Sequence, residues 1–357
     1  MLATSEIRNL VQSSKIERAL SGNLLPANNN PSFLNLSDVY TATVVENDPK
    51  GAVPVAFGLF NHCSPSQVYA SIVSLKKGYE NNFVAIKPVK GTMGVEAEHA
   101  ERHTCYEITE VRDTEEDVSS MPQYYSAFEV KEVYPLHQRV VDALIDQTIG
   151  HTNMDMKRNL TVDLYDAHTG RYSELDDHLW RDCDGFIVAD RYRFAEIEIS
   201  RAALTNILQK TTKVDGVTFE PLNAKTSAAF LEYDSEIAIA DRSEYLEYLF
   251  GLSGVKGTVV FDETKRPAGY VLSLGNHIFQ VYGETADLAS TVLAKHVSQM
   301  MEPTLNFFQR IDQSWISKEL IAAASVSRRV RRFHSRILPS QIKWSKVFVL
   351  NMGIHLY

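Results

Sequence analysis

The stretch at residues 278–300, IFQVYGETADLASTVLAKHVSQM, decides the fold of the second half of this chain. Residues 278–282 are mostly β-branched, aromatic or apolar, which predicts a strand. The residues after the turn repeat apolar side chains at helical intervals on one face: Ala289, Val292, Leu293, Val297 and Met300. Between the two, Gly283 lies close to Thr285, which can cap a helix. The stretch therefore predicts a strand, a turn and an amphipathic helix.

The flanking sequence predicts the other elements of an α/β unit. Residues 257–262 and 268–274 are expected to form a hairpin across a turn that ends in Pro267. Asp241 and Glu244 have the spacing of a capping box ahead of an apolar helix. The remaining predicted elements are helices at 224–237 and 317–326 and strands at 305–310 and 346–350.

The first half shows a weak repetition of the same element order, without strong sequence identity to the second half. Residues 39–46 and 52–60 predict a hairpin, because the Asn, Asp, Pro and Gly between them favour a turn. A third strand is expected at 82–87. The polar, acid-rich residues at 91–122 are expected to form a solvated loop.

A strand–helix–strand unit is predicted in the middle of the first half. Apolar residues follow helical spacing from Leu136 to Thr148, and Pro135 suits the first helical turn. Alternating residues at 126–133 and 160–164 flank this helix, and the joints are short. The pattern indicates parallel pairing of the two strands, and further strands are expected within 185–199.

Composition and charge limit the classes of protein. With 357 residues, two domains are expected, and the net charge of −9 repels nucleic acid and anionic lipid on average. Cys63, Cys105 and Cys183 lie far apart and form no CxxC pair, so reduced thiols in a cytosolic protein are expected. Residues 1–25 lack a secretory signal, and no run approaches the ~18 apolar residues of a membrane helix.

Five stretches of the second half carry a resemblance to a known family. From about residue 217 onward, the chain resembles the YitH/HolE-type acetyltransferase domain of the GNAT superfamily. The stretches look, in order, like the family's first and second helices, its glycine–tyrosine strand, its strand-to-helix turn and its closing strand: 230–238, 241–246, 268–271, 281–289 and 344–350. The sequence Gly-Tyr-Val at 269–271 departs from the family's usual Gly-Tyr-Gly.

The whole chain is also similar to a family of animal proteins in which a GNAT-like domain precedes this one. The resemblance implies an α/β (α+β) fold of two GNAT-like domains, each a mixed, mostly antiparallel sheet flanked by helices. The expected order is an N-terminal helical extension and loop at 1–32, a degenerate GNAT-like domain at 33–205 and the YitH/HolE-type domain at 216–357. The polar residues 209–215 are the expected connector.

The resemblance implies acetyl-CoA as a co-substrate. Its pyrophosphate would bind backbone N–H groups at a helix N-terminus, where the helix dipole is positive. In the first half, the matching helix start offers these candidate cofactor-binding residues: His137, Gln138, Arg139, Val140, Val141 and Ala143. The family has a glycine where Val141 stands, so a branched side chain is expected near the phosphate. The alternative is a helix start that only packs.

The corresponding turn of the second half is less favourable, because Glu284 and Asp287 would repel a pyrophosphate. Candidate proton donors for the leaving thiolate are Tyr165, which ends a predicted strand, and Tyr172 just beyond it. Packing at the edge of a core is the favoured explanation of Tyr165. His168 and the carboxylates of Asp163 and Asp166 lie nearby, and surface solvation is an alternative for both carboxylates.

The basic run at 327–336, SRRVRRFHSR, is unusual in an acidic chain. It could serve nucleic-acid binding or nuclear import. Val326, Val330 and Phe333 stand at helical intervals, which favours instead a solvated face packed on one side.

Two function hypotheses follow from the resemblance. The first is an acetyl-CoA-dependent N-acyltransferase that acts on a small-molecule or peptide amine in the cytoplasm, with a nuclear location left open. The second is a catalytically inactive GNAT-fold protein that binds a ligand or another protein. Nucleic-acid binding through the basic run is the third and least favoured hypothesis, and no membrane partner is expected.

Overall fold

The computed structural model describes nine stretches of the chain and, near the N-terminus, the helical and buried residues Ile7 and Leu10. The stretches are 36–49, 51–80, 82–89, 101–112, 134–150, 158–167, 174–237, 240–339 and 342–350. The strand expected at 126–133, the candidate proton donor Tyr172 and the neighbouring His168 lie outside the described residues. The chain forms two compact units, which are residues 1–161 with 174–187, and residues 162–173 with 188–357.

The first unit contains a mixed sheet. Its strands are β1 (Val39–Asp48), β2 (Gly51–Ser64), β3 (Gln67–Leu75), β4 (Phe83–Val89), β5 (His103–Arg112), β6 (Tyr134–Pro135) and the start of β7 (Asn159–Tyr165). They lie in the order β6-β4-β5-β1-β2-β3-β7. The β1–β5 and β3–β7 pairs are parallel, and the other pairs of this sheet are antiparallel.

Helix α1 (Leu136–Thr148) packs on the centre of this sheet, against β1, β2 and β3. A short helix α2 (Glu174–Asp177) runs directly into a π-helical turn (His178–Cys183). Trp180 of this turn is fully buried and packs edge-on against Phe186 at 5.3 Å between ring centroids. The predicted hairpin of β1 and β2, the strand β4 and the helix α1 are thus confirmed.

Strand β5 corrects the prediction of a solvated loop across residues 91–122. The prediction relied on the density of charge, but charged side chains are compatible with a strand when each has a partner or reaches solvent. Glu107 of β5 lies 3.1 Å from Lys87 of β4, across the antiparallel β4–β5 pair. His103 at the start of β5 is buried beside β1, where its Nδ1 lies 2.9 Å from the hydroxyl of Thr41.

The second unit begins with the end of β7 and contains a larger, mostly antiparallel sheet. Its further strands are β8 (Val188–Ser200), β9 (Thr218–Pro221), β10 (Val255–Phe261), β11 (Pro267–Leu274), β12 (His277–Gly283), β13 (Thr304–Arg310), β14 (Val326–His334) and β15 (Val347–Val349). They lie in the order β14-β8-β13-β15-β12-β11-β10-β9. β12 and β13 pair in parallel at His277 and Ile278, and β15 then lies between them, antiparallel to both.

The described residues of the second unit form five α-helices: α3 (Arg201–Leu208), α4 (Ser227–Ser235), α5 (Ser243–Gly251), α6 (Ala286–Val297) and α7 (Ser317–Ala323). Helices α3, α6 and α7 contribute Leu204, Leu293 and Leu320 to one apolar core. The strand, turn and helix predicted from residues 278–300 are confirmed as β12 and α6, and the hairpin predicted beside them as β10 and β11. Among the described helices, none is long and apolar enough to cross a membrane.

The expected domain bounds, 33–205 and 216–357, stay predictions. The residues expected to connect the domains, 209–215, lie within the second unit, directly after α3. Leu204 and Leu208 of α3 are buried in the core of that unit.

The capping box expected at Asp241 does not form. Asp241 accepts the N–H of Ser243 at 2.9 Å, and α5 begins one residue later than predicted, with Arg242 at the N-cap. The side chain of Arg242 turns inward to an ion pair with Asp234, and this pairing explains the difference.

A buried histidine joins α6 to the sheet of the second unit. Nδ1 of His296 lies 2.9 Å from the hydroxyl of Thr258 on β10, and Nε2 lies 2.8 Å from the hydroxyl of Ser273 on β11. Burial, together with the charge of Lys256, lowers the pKa of His296 to about 4. His296 is therefore neutral at physiological pH and acts as a packed hydrogen-bonding group.

We expect this histidine to make the fold sensitive to acid. Its folded pKa of about 4 lies below the ordinary 6.5, so the unfolded chain binds more protons between these pH values. The stabilising contribution is complete above about pH 6.5 and is lost as the pH falls towards 4. Between pH 7 and 5, the wild-type free energy of unfolding should fall by about 2 kcal/mol more than that of His296→Gln, whose amide does not titrate. Urea denaturation at the two pH values measures this, and equal losses would contradict it.

Candidate functional site

The start of α1 is the candidate cofactor turn of the first unit. Pro135 occupies the N-cap and brings no side-chain acceptor, and the first turn of α1 carries no acidic residue. The N–H of Leu136 donates to the carbonyl oxygen of Asn82 at 3.0 Å. The next N–H groups belong to His137 and Gln138, at the positive end of a 13-residue helix. This end is therefore electrostatically suited to an anion.

The valines of the predicted motif point into the core. Val140, Val141 and Ala143 are all buried. A Cβ atom added to Gly58 of β2 would lie 2.5 Å from Cγ1 of Val140, which shows how closely the helix approaches the strand. The side chain of Val141 is only 1% exposed. The obstruction expected from this branched side chain does not arise, because the side chain packs beneath the helix.

The other predicted cofactor residues are partly engaged by the protein. His137 is buried, its ring lies 4.6 Å edge-on from Trp180, and its Nδ1 lies 3.1 Å from Oδ2 of Asp184 without the alignment of a hydrogen bond. Arg139 is half-buried; its Nε donates to the carbonyl oxygen of Val84 at 3.3 Å, and its guanidinium stacks 4.5 Å from the ring of Tyr134. Gln138 is half-buried. The side chains of His137 and Arg139 are thus occupied by contacts within the first unit.

The turn between β12 and α6 has a different construction. The hydroxyl of Thr285 accepts the N–H of Leu288 at 3.2 Å, which confirms the expected cap. The N–H of Glu284 donates to the carbonyl oxygen of Ala268 at 3.0 Å. A Cβ atom on Gly283 would lie 3.1 Å from the backbone nitrogen of Ala289, so only glycine lets the helix approach the strand this closely. Two of the N–H groups of this turn are thus already bonded.

The charge of Glu284 is compensated by a residue distant in sequence. Nζ of Lys346 lies 2.6 Å from Oε1 of Glu284 and 3.4 Å from Oε2 of Glu236. The repulsion expected from Glu284 is accordingly smaller than its sequence position suggests. Asp287, exposed in the first turn of α6, remains the unfavourable charge for a phosphate.

A buried polar network lies where α4 and α5 cover β11 and β12. Nε of Arg242 donates to Oδ2 of Asp234 at 2.6 Å, and Nη2 donates to Oδ1. The hydroxyl of Tyr270 lies 2.5 Å from the same Oδ1 and 3.1 Å from Oε1 of Gln280. The guanidinium also lies 5.4 Å from the ring centroid of Tyr282. Most of these residues lie in the stretches that carry the resemblance, although the sequence alone did not indicate that they form one network.

The charges of this network stabilise each other. Burial lowers the pKa of Arg242, but the carboxylate of Asp234, together with Tyr282 and Tyr270, raises it overall. Burial and the charge of Asp234 raise the pKa of Tyr270, and burial and Glu284 raise that of Tyr233. Both tyrosines therefore keep their protons at neutral pH, and the hydroxyl of Tyr270 acts as a hydrogen-bond donor, not as a base.

Tyr165, the described candidate proton donor, is buried at the end of β7. Its hydroxyl donates to Oε2 of Glu196 on β8 at 2.9 Å, and Nη1 of Arg328 on β14 lies 3.3 Å from the same oxygen. The hydroxyl is thus held by a carboxylate that is itself charge-paired. This arrangement favours the interpretation of Tyr165 as a packing residue at the edge of a core.

The two aspartates near Tyr165 have ion-pair partners. Asp163 is fully buried, and its two oxygens accept Nε and Nη2 of Arg332 at 2.8 and 2.9 Å. Asp166 lies 3.4 Å from Nε of Arg331. Surface solvation, the alternative considered for both carboxylates, is wrong for Asp163, because the guanidinium of Arg332 takes the place of water.

The basic run forms β14, which is a strand and not a helix. Spacings of four and three between apolar residues fit a helix in isolation, but β14 pairs with β8 from Val326 to His334. Arg328, Arg331 and Arg332 each face a carboxylate, and His334 lies 3.1 Å from Oδ2 of Asp190. Burial would raise the pKa of Asp190, but the hydrogen bond from His334 and the charge of Arg332 lower it overall. The run is therefore largely neutralised by the fold.

The buried pair of Asp234 and Arg242 should be essential for stability. Asp234→Ala leaves a guanidinium that is 3% exposed without its carboxylate, and should lower the free energy of unfolding by about 3–5 kcal/mol. The matched control is Glu232→Ala on the same helix, where an exposed side chain should change it by less than about 0.5 kcal/mol. Chemical denaturation of the full chain measures both, and similar values for the two variants would contradict the assignment.

Because three arginines of β14 are paired with carboxylates, we expect weak binding to nucleic acid. At physiological salt we expect a dissociation constant above about 1 μM for duplex DNA, within or beyond the range of non-specific binding. Fluorescence anisotropy with a labelled duplex measures it. Tighter binding that Arg329→Ala abolishes would show that the exposed arginine of this strand serves nucleic acid.

Comparison with known proteins adds a family match in the first half and similarity to solved structures. A domain of unknown function, DUF7596, matches residues 26–188. A protein assigned as an acetyltransferase from Pyrococcus horikoshii is 15% identical over 98% of this chain and 92% of that one, with a TM-score of 0.46. A tandem GNAT protein from the clavulanic acid biosynthesis pathway is 9% identical over 95% and 98%, with a TM-score of 0.45. A GCN5-related N-acetyltransferase from Sphaerobacter thermophilus is 8% identical over 82% and 80%, with a TM-score of 0.43. Among proteins of curated function, none matches this chain.

Proposed function

We propose that this chain is an acetyl-CoA-dependent N-acyltransferase that transfers an acyl group to a small-molecule or peptide amine in the cytoplasm. The proposal includes a second unit of the YitH/HolE type within a tandem GNAT-like chain. Its basis is the resemblance at 230–238, 241–246, 268–271, 281–289 and 344–350, together with the matching element at each place. Those elements are α4, the start of α5, β11, the β12–α6 turn and β15 with the turn before it.

The observation that carries the proposal is the start of α1. Its first turn has neither a capping side chain nor a carboxylate, and its valines point into the core. The turn before α6 has a threonine cap and Asp287 in its first turn. An anion gains most where helix N–H groups are not already bonded to side chains. We therefore place the pyrophosphate of coenzyme A at α1, with Gln138 and the backbone of His137 as its nearest ligands.

The chemistry asks for few side chains. Acetyl-CoA supplies a thioester whose carbonyl carbon the neutral amine attacks, and the thiol of coenzyme A leaves with a proton. Among the described residues of the second unit, Tyr165 is the candidate proton donor, and its use requires release of the hydroxyl from Glu196. Tyr165→Phe tests this role separately from cofactor binding.

The second candidate is a non-catalytic GNAT-fold protein that binds a ligand or a protein. It is favoured by the engagement of Tyr165 with Glu196, and of Tyr270 with Asp234 and Gln280. Hydroxyls fixed in this way stabilise a core and are not poised to transfer protons.

Coenzyme A titration by isothermal calorimetry distinguishes the two functions. Gln138→Glu adds one carboxylate to the first turn of α1, where a negative charge suits the helix dipole and leaves the helix intact. One such charge near a pyrophosphate costs about 1–4 kcal/mol, so coenzyme A affinity should fall by roughly 5- to 1000-fold.

Glu284→Gln in the second unit is the matched control and should leave the affinity unchanged. If Glu284→Gln strengthens binding while Gln138→Glu has no effect, the cofactor turn is the one before α6. Absence of binding to wild type at millimolar coenzyme A would refute the acyltransferase proposal and leave the non-catalytic one.

A further inference from the structure

A thiol, an imidazole and a carboxylate are aligned on the helical segment 174–183 of the first unit. Sγ of Cys183 lies 3.6 Å from Nε2 of His178, and Nδ1 of the same ring lies 3.0 Å from Oδ2 of Asp182. Cys183 is exposed, and the side chains of His178 and Asp182 are 58% and 66% exposed. All three groups can therefore be reached by a dissolved reagent.

The π-helical winding of this segment produces the alignment. The N–H of Asp184 donates to the carbonyl oxygen of Leu179 at 3.0 Å, a bond that spans five residues. In an α-helix, residues five apart point about 140° away from each other. The wider π turn brings residues 178 and 183 to the same side, and such turns occur frequently at functional sites. Trp180, buried in the same turn, anchors the segment to the core.

We propose that Cys183 is a reactive thiol that forms mixed disulfides with low-molecular-weight disulfides, with His178 as its base and Asp182 as a positioning residue. The thiolate is the reactive form of cysteine, and an adjacent imidazole promotes it by accepting the proton. The carboxylate fixes the ring and stabilises the imidazolium. This site lies outside the turn proposed to bind coenzyme A and does not depend on that proposal.

The exchange balances without a further oxidant. The proton of Cys183 moves to Nε2 of His178, and Sγ attacks one sulfur of the disulfide. A new sulfur–sulfur bond forms to Cys183, the original bond breaks, and the leaving thiolate takes the proton from the imidazolium. The sulfur of Cys183 is oxidised, and one half of the disulfide leaves as a reduced thiol.

Arg181 and Asp177 of the segment are paired with each other. Nη1 of Arg181 lies 2.7 Å from Oδ2 of Asp177. Asp184, next to Cys183 in sequence, is buried beside His137 of the packed helix α1. The imidazole of His178 lies close enough to the thiol to accept its proton, with 3.6 Å between Nε2 and Sγ.

The other two cysteines provide internal controls. Burial raises the pKa of the Cys105 thiol. Cys63 is half-buried, and its thiol donates to the carbonyl oxygen of Asn61 at 3.4 Å, which favours the protonated form. Both thiols should react slowly in the folded protein.

The test is the rate of mixed-disulfide formation with oxidised glutathione on the folded, full-length chain at pH 7. Peptide mass spectrometry resolves the three cysteines. An ordinary thiol is about 3% ionised at pH 7, which leaves room for a roughly tenfold acceleration by a base. We expect Cys183 to react about tenfold faster than Cys105, and His178→Gln to slow Cys183 at least threefold.

Two further comparisons show whether the rate of Cys183 depends on proton transfer to His178 or only on the exposure of the thiol. At pH 10 every accessible thiol is ionised, so wild type and His178→Gln should react at the same rate there. Asp182→Asn should slow Cys183 at pH 7, whereas Glu174→Gln, which removes an exposed carboxylate from the same segment, should not. If His178→Gln reacts as fast as wild type at pH 7, or stays equally slower at pH 10, the proposal is overturned.

Discussion

The buried ion pair between Asp234 and Arg242 is the constraint around which the second unit is organised. It joins α4 to the start of α5, and Tyr270 of β11 adds a third hydrogen-bonding group. Neither charge can be lost alone, because the other would remain buried without a counter-ion. The pair also explains why Arg242, although it is the N-cap residue of α5, makes no capping hydrogen bond with its side chain. The network therefore holds α4, α5 and β11 together.

The sequence predicted those helices and strands that are determined by residues within the same short stretch. The strand, turn and helix at residues 278–300 follow from a run of β-branched, aromatic and apolar residues, a glycine and the cap of Thr285, all contained in one short stretch. β14 could not be predicted in the same way. Its apolar spacing fits a helix in isolation, and the strand is instead imposed by pairing with β8 and by Asp163, 169 residues before Arg332. The loop expected near β5 was wrong for the same reason, since β1 and β4 supply its pairing.

The candidate cofactor turn likewise has features that local sequence predicts and features that depend on distant residues. The sequence could place a helix start at Leu136, because Pro135 and the apolar periodicity are local signals. It could not reveal that Val141 packs inward, since that depends on the close approach of α1 to Gly58. Nor could it reveal that Lys346 compensates Glu284 across 62 residues. The side chain of Val141 in the first unit and the charge of Glu284 in the second unit are therefore both smaller obstacles to a phosphate than the sequence suggests.

Side chains that are fully hydrogen-bonded within a core make poor proton carriers, because each proton transfer must first break a bond that stabilises the fold. Tyr165, Tyr270 and Asp234 all belong to this class. Acyl transfer on this scaffold would therefore depend on backbone N–H groups, which polarise and position a thioester without changing protonation state. The N-termini of helices, where unpaired backbone N–H groups are concentrated, would then be the most important part of the site. The same buried polar groups can maintain the fold whether or not the chain retains a proton donor.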